Sequence, residues 1–308
     1  MDKVMAIVGP TAVGKTALSF TLARHYETGL ISGDAYQIYR HMDIGTAKPT
    51  ASELRQYPHD LIDIADPDEP YSAAIFCDMA GKAIHRLNEA GKIPIIVGGT
   101  GLYVQSLLEG YEFGAARMDE SLKEKALARI EGENPTALQD YIRTETKWEP
   151  ADWHELFANR HRLTRLVAAI INGEGEAFVR MGKADGLVYD AYVIGLRLPR
   201  EVLYDRIEKR IDVMLDAGWV EEVRHLLDLG ISPDAQSMKA IGYGEIVRYL
   251  QGEWTLTEAA EEIKKRTRHF AKRQLTWYKR MPYIHWFDKD QYDSEDALAA
   301  DVLAKITL

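Results

Sequence analysis

The octapeptide Gly9-Pro10-Thr11-Ala12-Val13-Gly14-Lys15-Thr16 limits the folds open to this chain more than any other stretch. It follows an apolar run, Val4 to Val8, and leads into Ala17-Leu18-Ser19-Phe20-Thr21-Leu22-Ala23, which reads as a helix. Strand, glycine-bounded GxxxxGK[ST] loop and helix form the context in which the motif binds phosphate. The loop lets successive backbone N–H groups turn inward, and the helix N-terminus adds unpaired donors and partial positive charge. Lys15 supplies a cation, and the Thr16 hydroxyl suits a metal ion bridging phosphates. A substrate bearing a pyrophosphate follows; its identity does not.

The chain can carry such a loop on an ample core. Its 308 residues are 46% hydrophobic and 28% charged, the proportions of a globular protein. No apolar run approaches the ~20 residues of a membrane span. Met1-Asp2-Lys3 leads directly into the first strand without a secretory pattern, and Cys77 is the lone cysteine. A reducing cytoplasm, without membrane attachment, is the expected setting. The net charge of −10 opposes indiscriminate nucleic-acid binding but leaves room for a local basic patch.

From Met5 to Leu108 strands and helices alternate, which predicts an α/β fold with a parallel sheet. Strands are expected at Leu30–Ser32, Asp60–Ile64 and Ile93–Val97, and a helix over Ala73–Ala90 that Gly91 stops. After Gly114 the strand signal disappears. Helical segments run from Arg117 to Asn172, and strand character returns at Tyr189 to Leu198. We therefore expect a P-loop α/β core over 1–114 and 186–308, interrupted by an all-helical insertion over 115–185. The competing arrangement packs these helices on the same core. Further helices are expected at Arg200–Leu215, Trp219–Leu229, Ser237–Leu250 and Thr257–Lys279, then a strand at Ile284–Phe287 and a helix after Ser294.

Chemistry-bearing residues cluster where strands end, as open α/β sheets require. Asp34 follows the second strand, where a carboxylate can accept a proton, hold a metal or cap a turn. An ATPase's second metal strand should end in an acid, whereas Ile93–Val97 runs into Gly98-Gly99-Thr100-Gly101; Asp60 and Asp63 keep phosphoryl transfer open. Arg206 and Arg210 share a helix face and suit either a pyrophosphate clamp or a solvated salt-bridge face. No acid occurs from Ile263 to Arg280, where Lys264, Lys265, Arg266, Arg268, Lys272, Arg273, Lys279 and Arg280 are interleaved with Phe270, Trp277 and Tyr278. This stripe reads as a polyanion-binding surface rather than a membrane helix.

Taken with Met42-Asp43-Ile44-Gly45-Thr46-Ala47-Lys48-Pro49, Ile96-Val97-Gly98-Gly99-Thr100-Gly101-Leu102-Tyr103, Ala240-Ile241-Gly242-Tyr243 and Thr267-Arg268-His269-Phe270-Ala271-Lys272-Arg273-Gln274-Leu275-Thr276-Trp277, the phosphate loop makes the chain resemble the tRNA dimethylallyltransferase (tRNA isopentenyltransferase) family over nearly its whole length. The resemblance implies a nucleotide-kinase-like core and a magnesium-dependent transfer of a dimethylallyl group from its pyrophosphate. The acceptor it implies is N6 of the adenine just 3′ of a tRNA anticodon. By position, Asp34 would be the general base, Thr11 would meet the breaking C–O bond, and Lys15, Thr16 and the rest of the loop would hold pyrophosphate. Arg206 or Arg210, with Arg210 the catalytic choice, would assist the leaving group. Contacts with the tRNA anticodon stem-loop would come from Asp34, Ala35, Tyr36, Gln37, Thr100, Lys123, Arg162, Arg165, Lys272 and Arg273, and the protein would act as a monomer. Ala35 stands where a serine is usual, Asp60 where a second histidine is, Gly244 where lysine is common, and Arg160-His161 replaces the usual approach to Arg162. The rivals are a P-loop kinase acting on a small acceptor and a non-catalytic RNA-binding protein.

Overall fold

A computed structural model describes residues 1–111, 113, 120–180 and 184–308. In chain order the elements are β1 (Lys3–Val8), α1 (Lys15–His25), β2 (Leu30–Gly33), α2 (Ala51–Gln56), β3 (His59–Asp60), α3 (Ala73–Glu89), β4 (Ile95–Gly98) and α4 (Gly101–Leu108). Five helices follow: α5 (Glu120–Gly132), α6 (Pro135–Thr146), α7 (Trp153–Ala158), α8 (Arg160–Ile171) and α9 (Gly175–Arg180). The chain then returns through β5 (Asp190–Arg197), α10 (Arg200–Asp216), α11 (Trp219–Asp228), α12 (Tyr243–Leu250), α13 (Leu256–Tyr278), β6 (Ile284–Asp288) and α14 (Glu295–Lys305).

The chain divides into two compact units, 1–109 with 186–308, and 110–185. The first is built on a six-stranded sheet in the order β3-β2-β4-β1-β5-β6, every pair parallel. Val4 to Val8 of β1 are wholly buried. An uninterrupted apolar strand covered on both faces is what a parallel sheet demands, and each large side chain so buried contributes roughly 1.5–3 kcal/mol. Met5 pairs with Ile95 of β4 and with Tyr192 of β5. This register brings the carboxyl ends of β1, β2 and β4 together. α1 packs on α14, α3 on α4, and α10 and α12 on α13.

The second unit has its own apolar core, including Ala126, Leu138, Ile142, Leu163 and Val167. Its helices α5, α6, α7 and α9 all pack on α8, whose face from Leu163 to Ile170 is buried. The starts of α6, α7 and α8 are capped by side chains: Asn134 accepts from Ala137 N–H, Asp152 from His154 and Glu155, and Asn159 from Arg162. The described residues of 120–180 contain no strand. The expected boundary at Gly114 and the helix start at Arg117 lie outside the described residues.

Some expectations need correction. The third strand is only His59–Asp60, because Leu61 and Asp63 take left-handed backbone conformations (φ 66° and 54°) that a strand cannot continue. The helix expected over Ser237–Leu250 is broken: a 3-10 turn covers Ser237–Lys239, and Gly242 at φ 102° precedes α12. The short helices α2, α7 and α9 carry too few residues for a periodic signal.

Candidate active site

The phosphate loop lies at the carboxyl end of β1 and closes onto α1. Gly14, the residue before α1, has φ 104°, a conformation open to glycine at little cost. Lys15 Nζ donates to the Gly9 and Pro10 carbonyls at 3.0 and 2.9 Å, which holds the cation across the loop. Burial, reinforced by Arg210, pulls Lys15 down to about 7, against the opposing pull of Asp34. The loop lines a polar cavity of about 120 Å³ with Asp34, Ser32, His59, Arg210 and Gln274. Asp34 is the only carboxylate among the residues lining it.

A second, larger cavity of about 600 Å³ shares Thr11, Ala12, Asp34, Thr46, Ala47, Gly99, Arg210, Phe270 and Gln274 with the first. Ile207, Ile211, Met214 and Trp219 form an apolar wall at one side, whereas Gly101 belongs to α4, preceded by Thr100, and Arg273 and Trp277 to α13. A charged chamber thus adjoins an apolar one, with Asp34 and Arg210 lining both.

Asp34 sits in a turn of its own making. Its Oδ1 accepts the backbone N–H of Tyr36 at 2.9 Å and of Gln37 at 3.4 Å. A Cβ on Gly99 would stand 3.1 Å from Oδ2, so glycine there keeps the carboxylate's second oxygen unobstructed. Burial raises the Asp34 pKa; the two N–H groups, Lys15 and Arg210 hold part of that rise back. Burial likewise lowers Arg210, with Asp34 opposing. A cation pair and a carboxylate of raised pKa around one space are the chemistry a proton acceptor beside an anion site requires.

Gln274 ties these parts together and was not singled out from sequence. Its Oε1 accepts Thr11 N–H at 2.9 Å and its Nε2 donates to Gly99 O at 2.6 Å, so one side chain of α13 joins the phosphate loop to the end of β4. The signal existed: Ala271, Gln274 and Tyr278 share the buried face of α13, and a polar residue on a core face demands partners. Gln37, expected at the RNA, donates its Nε2 to the Thr46 and Ala47 carbonyls at 3.1 and 3.3 Å.

The structure separates other candidates. Arg206 lines neither cavity, whereas Arg210 lines both. Asp60 pairs with Arg86 at 2.7 Å and Asp63 with Lys48, so neither carboxylate serves the phosphate chamber. Ala35, Tyr36 and Thr100 line the larger cavity, and Ala35 N–H donates to Thr100 Oγ1 at 3.0 Å. Gly9, Pro10 and Val13 line neither cavity and shape the loop instead. In the second unit Arg162 is exposed on α8, the Arg165 guanidinium lies over the Phe178 ring at 5.8 Å, Lys123 is on α5, and Arg160 pairs with Glu131 at 2.6 Å.

The basic stripe is two surfaces rather than one. Lys264 pairs with Asp212, Lys265 with Glu262, Arg266 with Glu245 and Arg268 with Glu208. These cations are committed within the fold. Among the described residues no carboxylate pairs with Lys272, Arg273, Lys279 or Arg280. Lys272, Arg273 and Arg280 line an open groove of about 480 Å³ with His269, Thr276 and Trp277. Among the described helices none is long and apolar enough to cross a membrane.

Fold and site together define a P-loop transferase in which a polar chamber at the loop adjoins an apolar pocket. The comparisons with known proteins are specific. The IPP transferase family model matches residues 37–281, and a model described as isopentenyl transferase matches residues 2–63. The chain is 41% identical over 295 residues to the tRNA dimethylallyltransferase of Halalkalibacterium halodurans, covering 95% of this chain and 93% of that one. It is 42% identical over 293 residues to that of Staphylococcus carnosus, covering 94% and 92%. The crystal structure of a tRNA isopentenylpyrophosphate transferase from Staphylococcus epidermidis superposes with a TM-score of 0.72 at 36% identity, covering 99% of this chain and 98% of that one. A eukaryotic dimethylallyltransferase acting on tRNA gives 0.78 at 26% identity, covering 100% and 81%. The chain belongs to the tRNA dimethylallyltransferase (IPP transferase) family.

Proposed function

We propose that this protein transfers the dimethylallyl group of dimethylallyl pyrophosphate to N6 of the adenine immediately 3′ of a tRNA anticodon. The observation that carries the reading is that Asp34 and Arg210 line both the phosphate chamber and the adjoining apolar cavity. A donor with its pyrophosphate in the loop then presents its first carbon beside the carboxylate. Adenine's amine is a weak nucleophile; Asp34 takes its proton as the N6–carbon bond forms. The carbon–oxygen bond breaks with its electron pair going to pyrophosphate, whose charge meets Lys15, Arg210 and the loop N–H groups. Thr11 is assigned to the bridging oxygen.

The donor set fits Mg2+ in the manner of other phosphate loops. Among the described residues no three His, Cys, Asp or Glu side chains cluster, so the protein offers the Thr16 hydroxyl and the substrate supplies phosphate oxygens. When bound there the ion neutralises charge on the leaving group.

The RNA reading assigns the adenine to the larger cavity, near Ala35, Tyr36 and Thr100, with Gln37 in the adjoining chamber, and phosphates to Lys272 and Arg273. Lys123, Arg162 and Arg165 are assigned to the stem. A base splayed from a single-stranded loop costs only a few kcal/mol to extrude, roughly. A cytoplasmic monomer completes the reading. Kinase action is disfavoured because the phosphate chamber has no second carboxylate for metal-bound ATP. Dimethylallyl pyrophosphate labelled in its C5 chain should pass its label to unmodified tRNA, while γ-labelled ATP should label nothing. Label passing from ATP to an acceptor, with none from the prenyl donor, would overturn the proposal.

A further inference from the structure

The block Met42 to Pro49 walls both cavities yet has no role in the chemistry above. Thr46 and Ala47 line both cavities, Pro49 the smaller and Gly45 the larger. Within the loop Ala47 N–H donates to Ile44 O at 2.9 Å and Lys48 N–H to Asp43 O at 3.0 Å, while the N–H groups of 43–45 take their partner from outside it. That partner is Glu222, on α11. Its Oε2 accepts the backbone N–H of Asp43 at 2.7 Å and of Ile44 at 2.6 Å, and its Oε1 accepts that of Gly45 at 3.1 Å. Tyr243 Oη also donates to Oε1, at 2.7 Å. Burial beside this carboxylate raises the Tyr243 phenol well above its usual range, so it stays a donor. Three successive N–H groups converging on one carboxylate form an anion nest filled from within the chain.

The loop is tied in turn to the base. Its Thr46 and Ala47 carbonyls take both bonds of the Gln37 amide, whose Oε1 accepts Ser32 Oγ at 2.9 Å. Gln37 N–H is one of the two donors that hold Asp34. On the other side of the nest, Trp219, itself a wall of the larger cavity, packs against Gly45 and lies edge-on to Tyr243 with ring centroids 5.9 Å apart. Lys48 adds a separate anchor, donating to Tyr39 O at 2.5 Å and pairing with Asp43 and Asp63.

We propose that Glu222 is a positioning residue for prenyl transfer: by gripping the N–H groups of 43–45 it sets the loop that orients Gln37 and, through Gln37, the Asp34 carboxylate. The catalytic half of this inference rests on the function proposed above; the mechanical half does not. Both halves are tested on the full-length protein.

Glu222→Gln keeps size and shape but sets an NH₂ against N–H donors. Amide hydrogen exchange should accelerate about tenfold or more at 43–45, and also at Tyr36 and Gln37, outside the nest. Exchange that accelerates at 43–45 and stops there overturns the proposal, whatever the activity of the enzyme. In the transfer assay Glu222→Gln should lower kcat/KM for the prenyl donor by about 10- to 100-fold, as misplacement of a reacting group does, with tRNA affinity unchanged. Combined with Gln37→Met it should be no slower than the slower single variant, because both act on one element. Multiplying losses, or a folded Glu222→Gln with wild-type kcat/KM, overturns it. Should that variant not fold, Tyr243→Phe, which removes one donor and leaves the nest, should show the same exchange pattern at smaller amplitude. A wild-type enzyme that transfers no prenyl group fails the functional reading instead, and is recognised before any variant is compared.

Discussion

Asp34 is held by opposing forces, and its behaviour follows from their balance. Burial favours the neutral acid, while Tyr36 N–H, Lys15, Gln37 N–H and Arg210 favour the carboxylate. The net shift is upward, so the transfer rate should fall as pH drops through a midpoint above the ordinary carboxylate range. Carboxyl NMR titration of Asp34 reads that midpoint directly, and Lys15→Met, removing a stabilising cation, should move it further up. The same shift has a stability sign. The native state binds more protons than the unfolded chain between the two pKa values, so stability falls as pH rises through that window. Asp34→Asn removes the penalty and should raise Tm at pH 7, while cutting single-turnover transfer by about 10²–10⁴-fold with donor affinity nearly unchanged. A lowered Tm together with near-normal turnover would reduce Asp34 to a turn cap.

Helix α13 divides along its length between cations paired within the fold and cations left on a groove. Up to Arg268 its cations pair with Asp212, Glu262, Glu245 and Glu208; nearer its end Lys272 and Arg273, with Arg280 just beyond it, line an open groove. Lys272→Glu with Arg273→Glu should therefore weaken tRNA binding and reduce its salt slope, because fewer counterions are released. Arg268→Gln should change stability and leave that slope alone; filter binding across a salt series separates the two. Gln274→Leu strands Thr11 N–H and Gly99 O, which should cost about 1–3 kcal/mol in denaturant unfolding and loosen the phosphate loop. The stripe was legible in sequence as acid-free, but its division was not, because the neutralising carboxylates arrive from α10, α12 and the first half of α13. The phosphate loop, the strands β1, β2, β4 and β5 and the long helices were legible, since apolar runs and glycine stops are local signals. The loop of 42–49 was not, for its partner Glu222 lies far along the chain, and β3 was overdrawn because left-handed residues at Leu61 and Asp63 carry no sequence mark.

At the scale of the molecule, each unit has its own apolar core, so each should fold without the other. Replacing roughly 120–178 by a short flexible linker should leave a cooperative fold that binds pyrophosphate and no longer binds tRNA; global unfolding would mean that the two cores depend on each other. The departures from the family pattern bear on this scale little: Asp60 has Arg86, Arg160 has Glu131, and Gly244 faces open space beyond an ordinary contact with Met238 O. What the whole molecule is proposed to do is place one C5 unit on one base. The most direct measurement is mass spectrometry of nuclease fragments and nucleosides from unmodified tRNA incubated with the protein, Mg2+ and dimethylallyl pyrophosphate. The account predicts N6-dimethylallyladenosine, confined to the adenine 3′ of the anticodon and absent with Asp34→Asn. Unmodified adenosine at that position, or prenylation that persists in Asp34→Asn, would contradict it.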